Sequence, residues 1–184
     1  MAVRILHCSD VHVTQDYFGG SLARLGWRRW VALLEHGLGG RSAKFGRAHV
    51  ALAAIIADAE AHDVDHVVLS GDLTAYASPW EFENARAALA RVVEDRQRLT
   101  VVPGNHDVYT PGSATSRRFE SHFGHLIESD LPEFAGETGY PFVRLLADEV
   151  AVIGLCSAVV PPLPAIAYGR LGEEQLQRLS SLLE

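Results

Sequence analysis

The sequence predicts an α/β fold with a βαβαβ core sheet, flanking helices and a second, smaller sheet. Three observations predict it. Short apolar, β-branched runs recur at residues 4–9, 66–70 and 99–102, and helical patterns separate them. The links between these segments are short, which favours parallel strands joined by crossover helices. A later pair of apolar runs, residues 142–146 and 150–155, reads as a hairpin turning at Ala147-Asp148-Glu149.

Residues 4–9 are almost continuously apolar, the pattern of a strand covered on both faces. Residues 16–45 then break the alternation. Tyr17-Phe18-Gly19-Gly20 reads as a loop, Ser21 can cap a helix running to His36, and Gly37, Gly39 and Gly40 end it. Leu22, Leu25, Trp27, Trp30, Val31, Leu33 and Leu34 give that helix a broad apolar surface, so 16–45 is expected to be a helical insertion beside the site. A helix over 47–62 follows, with Val50, Ala54, Ile55 and Ala57 among its inward candidates.

The next strand is 66–70. The helix after it starts at Ser78-Pro79, where proline suits the first turn, and carries Phe82, Ala85, Leu89 and Val92 at helical spacing. The strand 99–102 is stopped by Pro103-Gly104. Residues 113–123 are expected to form one short helix. A proline-rich loop spans 159–168. The last helix begins after Gly172, with Glu173 and Glu174 at its positive end and Leu176, Leu179, Leu182 and Leu183 as its buried stripe. Glu184 puts negative charge where that helix disfavours it, and a crossover helix should lead into another strand, so the single domain expected over 1–184 reads as incomplete at its C-terminus.

Composition narrows the function classes. The chain of 184 residues is 48% hydrophobic and 21% charged, within the range of globular domains. Arg4, His7 and Asp10 interrupt the N-terminus, so it does not read as a signal segment, and no run reaches the length of a membrane span. Cys8 and Cys156 do not make a disulfide framework and read as buried thiols. A cytoplasmic location is the expectation. The net charge of −7 argues against stable nucleic-acid binding. The charge is uneven, however: Arg24, Arg28, Arg29, Arg41, Lys44 and Arg47 against Asp16 and Glu35 give residues 16–47 a local +4.

Each of the three core strands ends in polar residues: Asp10-Val11-His12, Gly71-Asp72 and Asn105-His106-Asp107. The C-terminal ends of strands in an open α/β sheet are where ligands bind. Carboxylates, imidazoles and an amide oxygen gathered there can hold a divalent cation and move a proton. Singly, Asp10 and Asp72 could each cap a turn and Asn105 could be a turn residue; three such ends in one sheet point to a shared site. His7, His49, His62 and His66 read as structural or exposed, and His122 and His125 as surface residues around Gly124.

The succession D-x-H, GD and GNHD, each at a strand end, resembles the calcineurin-like metallophosphoesterases. The resemblance implies their layered sandwich fold and a dinuclear site of divalent metals (manganese, iron or zinc). It implies that Asp10 and His12 hold the first metal, that Asp72 bridges the two and that Asn105 holds the second through its side-chain oxygen. It implies that His106 is not a ligand but protonates the leaving oxygen, with Asp107 or a neighbouring carbonyl orienting its ring. Gly71 and Gly104 would let backbone and metal come close where a Cβ would obstruct. The family pattern continues with a later histidine and a G-H-x-H motif; no histidine follows His125 and no G-H-x-H occurs here. The resemblance therefore covers the N-terminal half to two-thirds of a typical family domain, and these 184 residues alone are expected to bind the first metal weakly and the second barely, and to hydrolyse phosphodiesters slowly or not at all.

For substrate, the resemblance is to the bacterial branch that contains cyclic-nucleotide phosphodiesterases and UDP-diacylglucosamine pyrophosphatases, carried by Asp72-Leu73-Thr74 and by GRLGEEQL at 169–176. A small nucleotide or cyclic nucleotide is the first expectation, and a lipid-linked diphosphate the second. The basic residues of 16–45 would attract phosphate and its tryptophans would pack on a base or, in the second case, on an acyl chain or membrane surface; the alternative is a helix that simply covers the core. A non-catalytic scaffold of the same fold, or an inactive fragment, is the alternative from another class.

Overall fold

The computed structural model describes residues 2–14, 46–163 and 166–184. The helix expected over 21–36 and the whole of the 16–45 insertion lie outside the described residues. Three parallel strands, β1 (Ile5–Cys8), β2 (His66–Ser70) and β3 (Leu99–Val102), form a sheet in the order β1-β2-β3. α1 (Ala48–Ala61) precedes β2, and α2 (Pro79–Leu89) with a 3-10 turn over Ala90–Glu94 connects β2 to β3. An antiparallel hairpin, β4 (Phe142–Ala147) and β5 (Val150–Gly154), makes a second sheet that lies against β3. This is the mixed architecture expected: a parallel core sheet plus a second sheet.

Alternation along the strands decides what each face of the sheet meets. Leu6, Cys8, Val67, Leu69, Leu99 and Val101 face the main core, which Leu52 and Ile56 of α1 and Phe82, Ala85 and Leu89 of α2 complete. Val102 faces the other way, onto a smaller cluster of Ile127, Tyr140 and Phe142 with Cys156. The strand expected to be covered on both faces is not. Ile5 is 44% exposed and His7 is exposed, because the hairpin covers the second face only near β3 and β1 stands at the edge.

α2 starts as the sequence predicts. Ser78 accepts from the Glu81 backbone N–H, the Glu81 side chain accepts from the Ser78 N–H, and Pro79 occupies the first turn. Phe82, Ala85, Leu89 and Val92 are all buried. α1 turns a different face inward from the one expected. Leu52, Ile56 and Ala59 are buried, whereas Val50 is 54% exposed and Ala54 and Ala57 are exposed. Apolar residues stand on every side of AHVALAAIIADAEA, so periodicity alone does not choose its face.

The helix expected over 113–123 is two helices, α3 (Pro111–Thr115) and α4 (Arg118–Phe123), separated where Arg117 takes a left-handed φ of 48°. α5 (Glu173–Leu183) begins after Gly172 as expected, but none of its residues is buried, and Leu176 and Leu183 are 44% and 71% exposed. The Gln175 side chain ties it to the chain after β5, accepting from the Cys156 N–H at 2.9 Å and donating to the Cys156 carbonyl at 2.8 Å. Both cysteines are free and half-buried, and burial pushes both thiols up in pKa. Among the described residues no helix is long and apolar enough to cross a membrane.

Two polar anchors in the fold were not visible in the sequence. Arg144, fully buried, pairs with Asp130 at 2.6 Å and donates to the carbonyls of Leu126 and Glu128, which fastens β4 to the loop before it. His66, also fully buried, bonds the Gln97 carbonyl through Nδ1 and Thr100 Oγ1 through Nε2. His122 and His125 are half-buried rather than on the surface: His122 stacks on Phe82 at 5.1 Å and His125 Nε2 bonds the Val93 carbonyl at 2.6 Å.

Candidate metal centre

The ladder between β1 and β2 does not stop at the strand ends. Asp10 N–H donates to the Gly71 carbonyl at 3.2 Å, His12 N–H to Asp72 at 2.9 Å and Val13 N–H to Leu73 at 2.8 Å. The first two motifs therefore run side by side in fixed register. Asp10, His12 and Asp72 all take left-handed φ values, 57°, 53° and 50°. Non-glycine residues rarely adopt this conformation, and its clustering at three side chains of one sheet edge marks a functional constraint.

The third motif is stitched to the second. Gly71 N–H donates to the Val102 carbonyl at 2.9 Å, and His106 N–H donates to Asp72 Oδ1 at 2.9 Å. Gly104 packs directly on Asp72. A Cβ there would stand 2.1 Å from Asp72 Oδ1 and 2.4 Å from its backbone nitrogen. The close approach at Gly104 is to Asp72, whereas the sequence suggested one between backbone and metal.

Asp107 does something other than orient His106. It is fully buried, and its two oxygens accept from Leu73 N–H, Thr74 N–H, Thr74 Oγ1 and Gly104 N–H at 2.8–3.1 Å. Burial is the largest influence on its carboxyl and leaves it raised to about 6, although these hydrogen bonds oppose the rise. All four partners are donors, so the cage is built for the ionised carboxylate. Asp107 clamps the GD and GNHD loops together. The group that holds the His106 ring is the Ala75 carbonyl, 2.5 Å from Nδ1. Between the two orienting groups open from sequence, Asp107 and a carbonyl, the structure shows the carbonyl.

The loop that presents Ala75 is itself anchored. Buried Glu81 accepts from the N–H groups of Tyr76 and Ser78 at 3.1 and 2.9 Å, and Thr74 Oγ1 accepts from Ala77 N–H. Sequence reasoning missed Glu81, although the S-x-x-E spacing of a capping box was there to be read.

The structure places the expected ligands at one end of the sheet. Asp10, Asp72 and Asn105 line one open cleft of about 390 Å³, together with Ser157 and Tyr168 from the loop after β5. His12 Nε2 lies 3.8 Å from Asp72 Oδ2. Two ligands about 2.1 Å from a common ion are separated by roughly 3–4 Å, so the pair can share one. The ligand atoms of His12, Asp72 and His106 all lie within 4.8 Å of one another, which brings His106 into the same group as the two expected ligands. Carboxylate, imidazole and amide donors in this arrangement suit a divalent cation of intermediate hardness.

Residues 3–154 match the family model described as calcineurin-like phosphoesterase. No curated protein matches the chain at a significant level. The strand-end motifs, the parallel sheet with its second antiparallel sheet, and the His-Asp cluster lie within the matched residues. The chain belongs to the calcineurin-like phosphoesterase family.

Proposed function

We propose that this chain is a metal-dependent phosphoesterase that cleaves a phosphodiester or phosphomonoester of a small nucleotide, cyclic nucleotides included. The observation that carries the reading is the convergence of Asp10, Asp72 and Asn105 on one cleft with His12 and His106 beside Asp72. Asp10 and His12 would hold a first divalent ion, Asp72 would serve both a first and a second, and Asn105 would hold the second through its amide oxygen. Bound there, manganese, iron or zinc supplies Lewis-acid polarisation of the phosphoryl oxygens and a water acidified enough to attack.

The remaining chemistry belongs to the chain. The Ala75 carbonyl accepts from His106 Nδ1–H, which leaves Nε2 as the nitrogen that can give up a proton. As water oxygen bonds to phosphorus and the phosphorus–oxygen bond to the leaving group breaks, the leaving oxygen takes the proton from His106 Nε2–H. The attacking water releases its own proton to solvent, and His106 is reprotonated from solvent. The products are the phosphate and the free alcohol, which remain on one molecule when the substrate is a cyclic nucleotide.

Tyr168, 52% exposed in the cleft wall, offers a flat aromatic surface for a base. That surface favours a nucleotide over a lipid-linked diphosphate and over a scaffold without substrate. The test is turnover of cyclic nucleotides, nucleoside monophosphates and an acylated sugar-nucleotide diphosphate with manganese present. Hydrolysis of a nucleotide ester that Asp72→Ala abolishes supports the reading. Hydrolysis of the lipid-linked substrate alone would move the assignment to that class, and no hydrolysis of any phosphoester would favour the scaffold.

A further inference from the structure

The Ala75 carbonyl bonds the His106 ring at Nδ1. The plane of an imidazole is set by what packs against its faces as well as by its hydrogen bonds. The structure adds a wall. The ring of Tyr109, three residues on, stacks on His106 with centroids 5.4 Å apart and planes 22° from parallel. Tyr109 is 4% exposed and cannot itself move, because Tyr76, 3% exposed, packs edge-on against it at 5.5 Å and 71°. The His12 ring stands edge-on to His106 at 4.8 Å and 62°. His106 is thus confined by a buried aromatic face on one side and a ligand ring at its edge.

We propose that Tyr109 is a positioning residue for proton delivery: its ring face fixes the plane of His106 so that Nε2 meets the leaving oxygen. The inference rests on the reading of His106 as proton donor given above. It requires the flat face of residue 109 and not its hydroxyl. A large, rigid ring with two torsions loses little entropy in that place.

The leaving group separates this role from a merely structural one. A 4-nitrophenolate departs without a proton, whereas an unsubstituted phenolate needs one. The experiment measures kcat and KM for bis(4-nitrophenyl) phosphate and diphenyl phosphate in the full chain with manganese, for wild type, Tyr109→Phe, Tyr109→Leu, Tyr109→Met, His106→Ala and Phe119→Leu. Tyr109→Leu and Tyr109→Met should lower kcat for the phenyl ester about 10-fold while KM and the nitrophenyl kcat stay within about 2-fold. Tyr109→Phe should behave as wild type. Phe119→Leu, in the same core but packed on Phe82 and Phe123, should show no dependence on leaving group.

His106→Ala should show the same selective loss, larger. If it does and neither Tyr109→Leu nor Tyr109→Met does, the proposal is overturned and the proton-donor reading stands. If His106→Ala itself shows no leaving-group dependence, both fall. A wild-type measurement needs no variant to fold: the carbon-bound ring protons of His106 in the zinc-loaded protein should be shifted upfield by the Tyr109 ring current, and unshifted protons would overturn the stack.

Discussion

Gly104→Ala probes the site with one methyl group. The added Cβ would lie 2.1 Å from Asp72 Oδ1, 2.4 Å from Asp72 N and 2.8 Å from Asp72 Cγ. Ordinary contact begins near 3.4 Å, so one loop must retreat by about 1 Å, and the atoms in the way include backbone. Gly104 is not among the residues with left-handed φ, so the effect is steric overlap and not backbone strain. The retreat pulls on two hydrogen bonds, His106 N–H to Asp72 and Gly104 N–H to Asp107. Overpacking of this kind costs about 1–3 kcal/mol of stability. A ligand misplaced by about 1 Å can cost on the order of 100-fold in rate. The assay is urea unfolding, manganese binding and phosphodiester turnover, with Gly124→Ala as control because a Cβ there meets nothing within 4 Å. Wild-type metal affinity and turnover in Gly104→Ala would refute the packing of the two loops described above.

Three further perturbations have expected outcomes. Asp107→Ala strands three backbone N–H groups and the Thr74 hydroxyl, and should cost about 3 kcal/mol or more in urea unfolding; a loss under about 1 kcal/mol would contradict the clamp. Asp130→Ala leaves fully buried Arg144 with only carbonyl partners and should cost about 3 kcal/mol, whereas Arg178→Ala, at an exposed pair with Glu174, should cost under about 1 kcal/mol in the same measurement. Burial lowers the pKa of His66 from its ordinary 6.5. Below that value the unfolded chain takes up a proton that folded His66 refuses, so stability should fall as pH falls through the window under 6.5, and His66→Gln should flatten the melting-temperature profile there.

What the sequence disclosed follows from how locally each feature is encoded. β2 and β3 are short runs rich in apolar and β-branched residues with turn residues after them, and the capped start of α2 is written in Ser78-Pro79; all three lie where the pattern puts them. The strand-end side chains were legible because parallel topology brings such ends together, and Asp10, Asp72 and Asn105 share a cleft. The inward face of α1 was not legible, since its apolar residues encircle the helix. Neither was the break at Arg117, where no glycine or proline announces the left-handed turn. The support of the site was the least visible part. A backbone carbonyl at Ala75 has no sequence signature, and Asp107 reads as part of a catalytic motif until its four donors are seen. Arg144 and Asp130 are two charged residues 14 apart, and nothing in their local sequence says that they meet.

Manganese binding, followed by electron paramagnetic resonance on wild type, Asp72→Ala and His106→Ala, tests the central claim most directly. The proposed function gives Asp72 a role in holding both ions and His106 a role in holding neither. Asp72→Ala should therefore weaken manganese binding by at least about 10-fold, while His106→Ala should leave it within about 2-fold and still lose turnover. Unchanged binding in Asp72→Ala would show that the three strand ends do not form the metal centre. Loss of binding in His106→Ala would make that histidine a ligand, with His12 and Asp72, and would remove it from the role of proton donor.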